Sequence, residues 1–210
     1  MHFQDMFKAN PATFSFEFFP PKDEGGSEDL YRSISDLVPL RPNFISVTYG
    51  AGGTTSDLTN KLVMRIKDEG KLDPMPHLTS VCHDEAHIRG LLEGYAARGV
   101  SNVLALRGDP PRGMDGYDRS ADAFQYAGEL VSFIKAFNEE GLHPDKRGFG
   151  IAVAGFPEGH PATPNRIIEL EHLKAKVDRG ADCIVTQMFF DNRDFYDFRH
   201  RCELAGIHVP

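Results

Sequence analysis

Apolar residues recur along this chain at two periods, and the two periods alternate. Short runs rich in Val, Ile, Phe and Thr predict strands over 13–19, 43–49, 76–82, 102–106, 150–154 and 182–188. Between them, apolar residues three and four apart predict amphipathic helices over 27–38, 56–69, 84–98, 120–140, 163–179 and 192–205. Five of these helices run into a glycine (Gly70, Gly99, Gly141, Gly180 and Gly206), a residue that can close a helix in the left-handed conformation. Ser27, Asp84 and Ser120 are the expected N-caps.

The order is strand, helix, strand, helix throughout, and it repeats. Glu17 to Thr48 is 31 residues, Thr48 to Ser80 is 32, Ser80 to Arg107 is 27 and Gly155 to Gln187 is 32. A period near 30 is one βα unit, and right-handed crossovers at that period build either a (β/α)8 TIM barrel or a doubly wound sheet. One interval is longer, 48 residues from Arg107 to Gly155, and holds a Pro/Gly-rich loop over 110–119. No linker divides the chain, so residues 1–210 read as a single catalytic domain. An eight-unit barrel takes about 250 residues. The sixth helix here ends at Gly206, so the expectation is an incomplete barrel of six units, C-terminally truncated, with open strand edges that invite pairing between chains.

Composition narrows the function. An apolar content of 40% with 16 Phe supports a sizeable core, and a net charge of -8 leaves no basic field for a phosphate backbone, so no nucleic acid is expected. No apolar run reaches the ~18 residues that span a bilayer, and the N-terminus has no leader-like pattern, so the expectation is a cytoplasmic protein with no membrane partner. Cys82, Cys183 and Cys202 are too scattered for a disulfide framework or a zinc knot.

Parallel α/β folds build their sites at the carboxyl ends of strands, and every predicted strand carries polar residues there. Glu17 stands among Phe14, Phe16, Phe18 and Phe19, where burial would raise its pKa and make it a general acid; a structural ion pair is the alternative. Thr48 and Tyr49 lead into a glycine turn, suited to a phosphate or a ring, or simply a flexible loop. Arg107 and Asp109 flank Gly108, as an ion pair or as a site for an anionic or heterocyclic ligand. Glu158 and His160 sit in a Pro/Gly turn, and Gln187 reads as a buried amide that needs partners. His83 and His87 do not form an H-E-x-x-H metal motif and read as a solvated helix face, while Cys82 and Cys183 read as buried, inert thiols.

Seven motifs now stand in order: F-S-F-E-F-F-P-P-K, S-V-T-Y-G-A-G-G-T-T, P-H-L-T-S-V-C, L-A-L-R-G-D-P-P, G-F-P-E-G-H-P, L-K-x-K-V-D-x-G-A-D and T-Q-M-F-F-D. Together they resemble the methylenetetrahydrofolate reductases in their short bacterial form. The resemblance implies a (β/α)8 flavoprotein that holds FAD. It would pass a hydride in ping-pong order from NADH or NADPH to 5,10-methylenetetrahydrofolate, giving 5-methyltetrahydrofolate, and would form a homo-oligomer when full length. It further implies that Glu17 is the acid that assists opening of the methylene bridge, that Asp109 is the carboxylate beside flavin and pterin, and that Gln187 binds folate and nicotinamide in turn. By the same resemblance Thr48, Tyr49, Ala51, His77, Arg107, Gly108, Asp109, Ala127, His160 and Lys176 surround FAD, and no metal is implied. Phe156 stands where a Tyr is common in the family, and Glu169 where an Asp is usual. A pterin-binding or methyl-transferring barrel without flavin, or a non-catalytic binding module, are the alternatives.

Overall fold

Side chains along a strand alternate between two faces, and here the two faces lead to different neighbours. The computed structural model describes residues 1–21, 24–50, 56–69, 72–111, 113–114 and 116–210. Its strands are β1 (Ser15–Phe18), β2 (Phe44–Val47), β3 (Pro74–Thr79), β4 (Asn102–Leu106), β5 (Gly150–Gly155) and β6 (Cys183–Thr186). Its α-helices are α1 (Phe3–Ala9), α2 (Glu24–Leu37), α3 (Ser56–Asp68), α4 (Glu85–Ala97), α5 (Ala127–Glu139), α6 (Arg166–Asp178) and α7 (Asn192–Leu204). All strand pairs are parallel, and the sheet order is β1-β2-β3-β4-β5-β6.

That order decides between the two architectures left open by the repeat. A doubly wound sheet reverses its strand order at a switch point and carries helices on both faces. Here there is no reversal among the described strands, and one face takes nearly all the helices. Ile45, Val47, Leu78, Val103, Ala105, Ile151 and Val153 pack with side chains of α2 to α7 in one core. Phe44, Met75, Leu104, Ala152 and Cys183, of the other parity, pack with Phe3, Met6 and Phe7 of α1 and with Leu106 and Val185 of the same wall. The strands therefore form part of a barrel wall, with α1 plugging the inner face near their amino ends. The protein is an α/β fold with six parallel strands in a half-barrel.

Sequence periodicity did not register α1, a seven-residue helix too short to show a period. It is held by tertiary bonds: Asn102 Oδ1 accepts from Phe3 N at 2.9 Å, and Asn102 Nδ2 donates to Met1 O at 2.9 Å. Three local expectations also fail. Ser27 lies inside α2, which begins at Glu24. Ser120 belongs to a 3-10 turn over Arg119–Ala121, and α5 starts only at Ala127, where Glu129 Oε2 takes the free amides of Gln125 and Tyr126. Cys82 is exposed in a left-handed turn at φ 59° rather than buried in β3, which stops at Thr79. Asp84 does cap α4, accepting from His87 N at 2.8 Å, and Gly99, Gly141, Gly180 and Gly206 do adopt positive φ. Gly70 lies outside the described residues. Beyond α7 the chain returns to the sheet, where Ile184 N donates to Pro210 O at 2.8 Å. No helix among the described residues is long and apolar enough to cross a membrane.

Candidate functional site

The inner face changes character from end to end. Near the amino ends it is Phe44, Met75 and Leu104; toward the carboxyl ends the same parity brings up Glu17, Ser46, Thr48, His77 and Thr79. Glu17 pairs in register with Ser46 on the neighbouring strand. Ser46 Oγ donates to Glu17 Oε2 at 3.2 Å, and His77 Nε2 lies 3.3 Å from the same oxygen.

This environment corrects the expected pKa of Glu17. The neighbouring Phe16 and Phe18 point to the outer core, because adjacent strand residues face opposite ways. The contact with His77, helped by Ser46, holds the Glu17 carboxyl below its ordinary range despite the opposing effect of burial. His77 Nε2 is within ion-pair reach of the carboxylate but off the line of a hydrogen bond, so among the described residues it is a buried nitrogen without an aligned partner; the buried Thr79 Oγ1 also has no hydrogen-bond partner among them.

Beyond β2, Thr48 is buried and its carbonyl accepts from Thr59 Oγ1 at 2.9 Å. Tyr49 places its hydroxyl 2.9 Å from His83 Nε2, and the His83 and His87 rings stack 4.2 Å apart. No group of three potential ligands, these two included, forms a metal site among the described residues. Ala51 lies outside the described residues.

The β4 turn supplies charge. The Arg107 side chain makes no hydrogen bond or ion pair among the described residues, and desolvation, then repulsion from Arg119, lowers its pKa. The Arg107–Asp109 ion pair considered from sequence is thus not formed, and Asp109 is exposed. Gly108 between them has φ 84°, and a Cβ there would fall 2.5 Å from Val81 Cγ1. Arg119 fixes this turn by donating to Gly108 O at 2.8 Å, and Asp122 ties Arg119 to Tyr117 and to Cys82 N.

At β5, Lys176 reaches across from α6 to donate to Ala154 O at 2.6 Å. Burial pushes its ammonium down to about 8, with Glu169 pulling the other way. His160 is likewise lowered, first by burial and then by Arg107, and its ring meets Phe156 edge-on at 4.5 Å. Ala127 opens α5 on the same rim. Gln187 is exposed, not buried: β6 is an edge strand of the described sheet, and the amide's only bond there is Oε1 accepting from Met188 N at 2.9 Å.

Glu17, Asp109 and Gln187 therefore stand at the carboxyl ends of β1, β4 and β6, on one rim. The arrangement can hold an anion (Arg107, Lys176), hydrogen-bond a heterocycle (His77, Thr79, Asp109) and move a proton (Glu17). Ser46, Thr79 and Arg119 were missed from sequence. Strand parity counted from Glu17's register would have found Ser46, but nothing local marks Arg119.

Known proteins resemble this chain over nearly its whole length. The family model for methylenetetrahydrofolate reductase matches residues 2–210. Methylenetetrahydrofolate reductase (NADH) 1 of Arabidopsis thaliana is 42% identical over 94% of this chain, which spans 34% of that relative's length. The 5,10-methylenetetrahydrofolate reductase of Escherichia coli is 38% identical over 93% of this chain, which spans 61% of it. Among solved structures, oxaloacetate acetylhydrolase superposes with a TM-score of 0.61 at 11% identity, covering 94% of this chain and 66% of that one. A 2,3-dimethylmalate lyase gives 0.59 at 10% identity, over 98% of this chain and 66% of its own; both likenesses are of fold alone. With the family model matched from residue 2 to the last, this chain belongs to the methylenetetrahydrofolate reductase family.

Proposed function

We propose that this chain carries the catalytic core of an FAD-dependent reductase that uses NADH or NADPH to convert 5,10-methylenetetrahydrofolate to 5-methyltetrahydrofolate. The observation that carries the reading is Glu17, a carboxylate bonded by Ser46 and facing His77 Nε2 at 3.3 Å at the mouth of the inner face, beside Thr79 Oγ1, a buried hydroxyl without a hydrogen-bond partner among the described residues. Three relatives bear NADH in their names, which favours NADH as the donor.

The residues present fit the flavin. Buried polar atoms without partners cost free energy until a ligand satisfies them. Arg107, without a counter-ion among the described residues, and Lys176 would hold the pyrophosphate. Gly108 allows close approach of backbone, and Thr48, Tyr49, Ala51, Ala127 and His160 would complete the surround, with Asp109 beside both flavin and pterin. FAD, when bound, relays two electrons from nicotinamide to folate in ping-pong order. Gln187, exposed on the rim, would orient each ligand in turn. Glu17 would protonate the amine nitrogen that leaves as the imidazolidine ring opens, after a bound ligand has excluded water from its carboxyl.

Two measurements test this. The chain has no Trp, so bound flavin would stand out in its absorbance spectrum. In Glu17→Gln, reduction of flavin by NADH should stay near normal, while reoxidation by methylenetetrahydrofolate should slow ~100-fold or more, the loss expected for general acid catalysis. Equal slowing of both steps would make Glu17 a structural residue. A colourless protein that takes up a pterin but no FAD would favour the flavin-free barrel.

A further inference from the structure

We propose that His77 is the group from which Glu17 takes the proton it hands to the substrate amine, and that Ser46 is the positioning residue that keeps the carboxylate aimed at both. The inference rests on the reductase reading above and adds a proton path to it.

The two oxygens of Glu17 are not equivalent. Oε2 receives both protein contacts, Ser46 Oγ at 3.2 Å and His77 Nε2 at 3.3 Å. Oε1 has no hydrogen bond among the described residues, and with the side chain 47% exposed it is the oxygen left for the mouth. His77 is only 8% exposed, and among the described residues its Nε2 has no hydrogen bond that competes with the 3.3 Å contact to Glu17. From β2 and β3, the elements packed beside it, His77 and Ser46 are the groups that act on this carboxyl; among the described residues no other charged side chain does so. Both come from strands paired through backbone ladders, which fixes the spacing before any ligand arrives.

An acid so surrounded has a difficulty that the path resolves. Contacts that hold the Glu17 carboxyl below its ordinary range leave it ionised at neutral pH, so it has no proton of its own to give. In the proposed step the two side chains first turn their 3.3 Å contact into an aligned hydrogen bond; the Nε2–H bond of a protonated His77 then breaks as an O–H bond forms at Glu17 Oε2, leaving neutral imidazole. A half-turn of the carboxyl, a soft torsion, presents the proton at the mouth. The O–H bond then breaks as an N–H bond forms on the substrate amine, and the imidazole is reprotonated from solvent after product leaves. No electrons move in these steps.

The test uses the 210-residue chain without flavin, labelled at Glu carboxyl and His ring nitrogens, titrated by NMR. The Glu17 carboxyl should show a second inflection at the pH where His77 titrates. Ser46→Ala should move the main Glu17 transition upward, and Ser46→Thr should restore it. His77→Gln keeps a donor near the same place but cannot carry the proton, so the second inflection should vanish. A single Glu17 transition, indifferent to Ser46 and His77, overturns the proposal. If His77→Gln does not fold, the coupling within the wild-type chain decides the matter. In the flavin-loaded protein His77→Gln should slow reoxidation by methylenetetrahydrofolate ~10-fold or more relative to reduction by NADH, and flatten the pH profile of reoxidation. An unchanged profile overturns the relay even where activity is present. Absence of all reductase activity with NMR coupling intact counts against the reductase reading and leaves the proton-sharing pair standing.

Discussion

Lys176 Nζ crosses from α6 to the carbonyl of Ala154, 2.6 Å away near the carboxyl end of β5. The bond fastens a helix to the strand it follows, yet it places an ammonium where water is scarce. Burial pushes the group from its ordinary 10.5 down to about 8.

Stability should therefore rise with pH across that window. Between about 8 and 10.5 the unfolded chain binds the proton that the folded chain has released, so ΔG of unfolding increases with pH. Relative to Lys176→Met, the wild type should gain on the order of 3 kcal/mol from the bottom of the window to the top. Urea midpoints of both proteins, compared at several pH values, check this; parallel curves would refute it.

Gly108→Ala should be much worse than Gly99→Ala. Both glycines have positive φ, but Cβ at 99 would meet nothing within 4 Å, whereas at 108 it would strike Val81 and Thr79 at 2.5 and 2.9 Å. Backbone strain alone costs about 1 kcal/mol. With overpacking at the head of β4 the loss at 108 should reach about 3 kcal/mol. Thermal melts of the two variants decide it, and equal losses would mean that the β4 turn yields.

Asn102→Ala should release α1. The side chain satisfies Phe3 N and Met1 O from within the wall, so its removal leaves the buried Phe3 N unpaired. A loss of about 2 kcal/mol is expected, with proteolytic cleavage near residue 10 appearing before global unfolding. Cleavage no faster than in wild type would show that Phe3 and Met6 hold the helix by packing alone.

Arg107 should make the rim an anion site even without flavin. Inorganic pyrophosphate should raise the Tm of the wild-type chain, added salt should weaken the effect, and Arg107→Met should abolish it. A shift retained in the variant would assign the anion to Lys176 or to the start of α5 instead.

Much of this arrangement was legible in the residues themselves. The six strands and their helices follow from alternating periods, and the carboxyl-end location of Glu17, Arg107 and Gln187 follows from their place after each apolar run. What failed was local inference about surroundings. Glu17 looked buried among phenylalanines because they are its neighbours along the chain; in a strand, neighbours along the chain face away, and the residues that matter lie across the ladder. Gln187 looked buried because its run is apolar, but β6 is an edge strand of the described sheet.

By itself the sequence determined the periods, the turns and the supply of polar groups, since these depend on interactions within a few residues. Whether the repeat became an open barrel wall or a doubly wound sheet was settled by strand order, a relation between segments some 30 residues apart. The lowered pKa of Glu17 arises in the same way, from His77 of β3 and Ser46 of β2. Desolvation and hydrogen bonding act through space, and only the folded chain brings these three strands side by side.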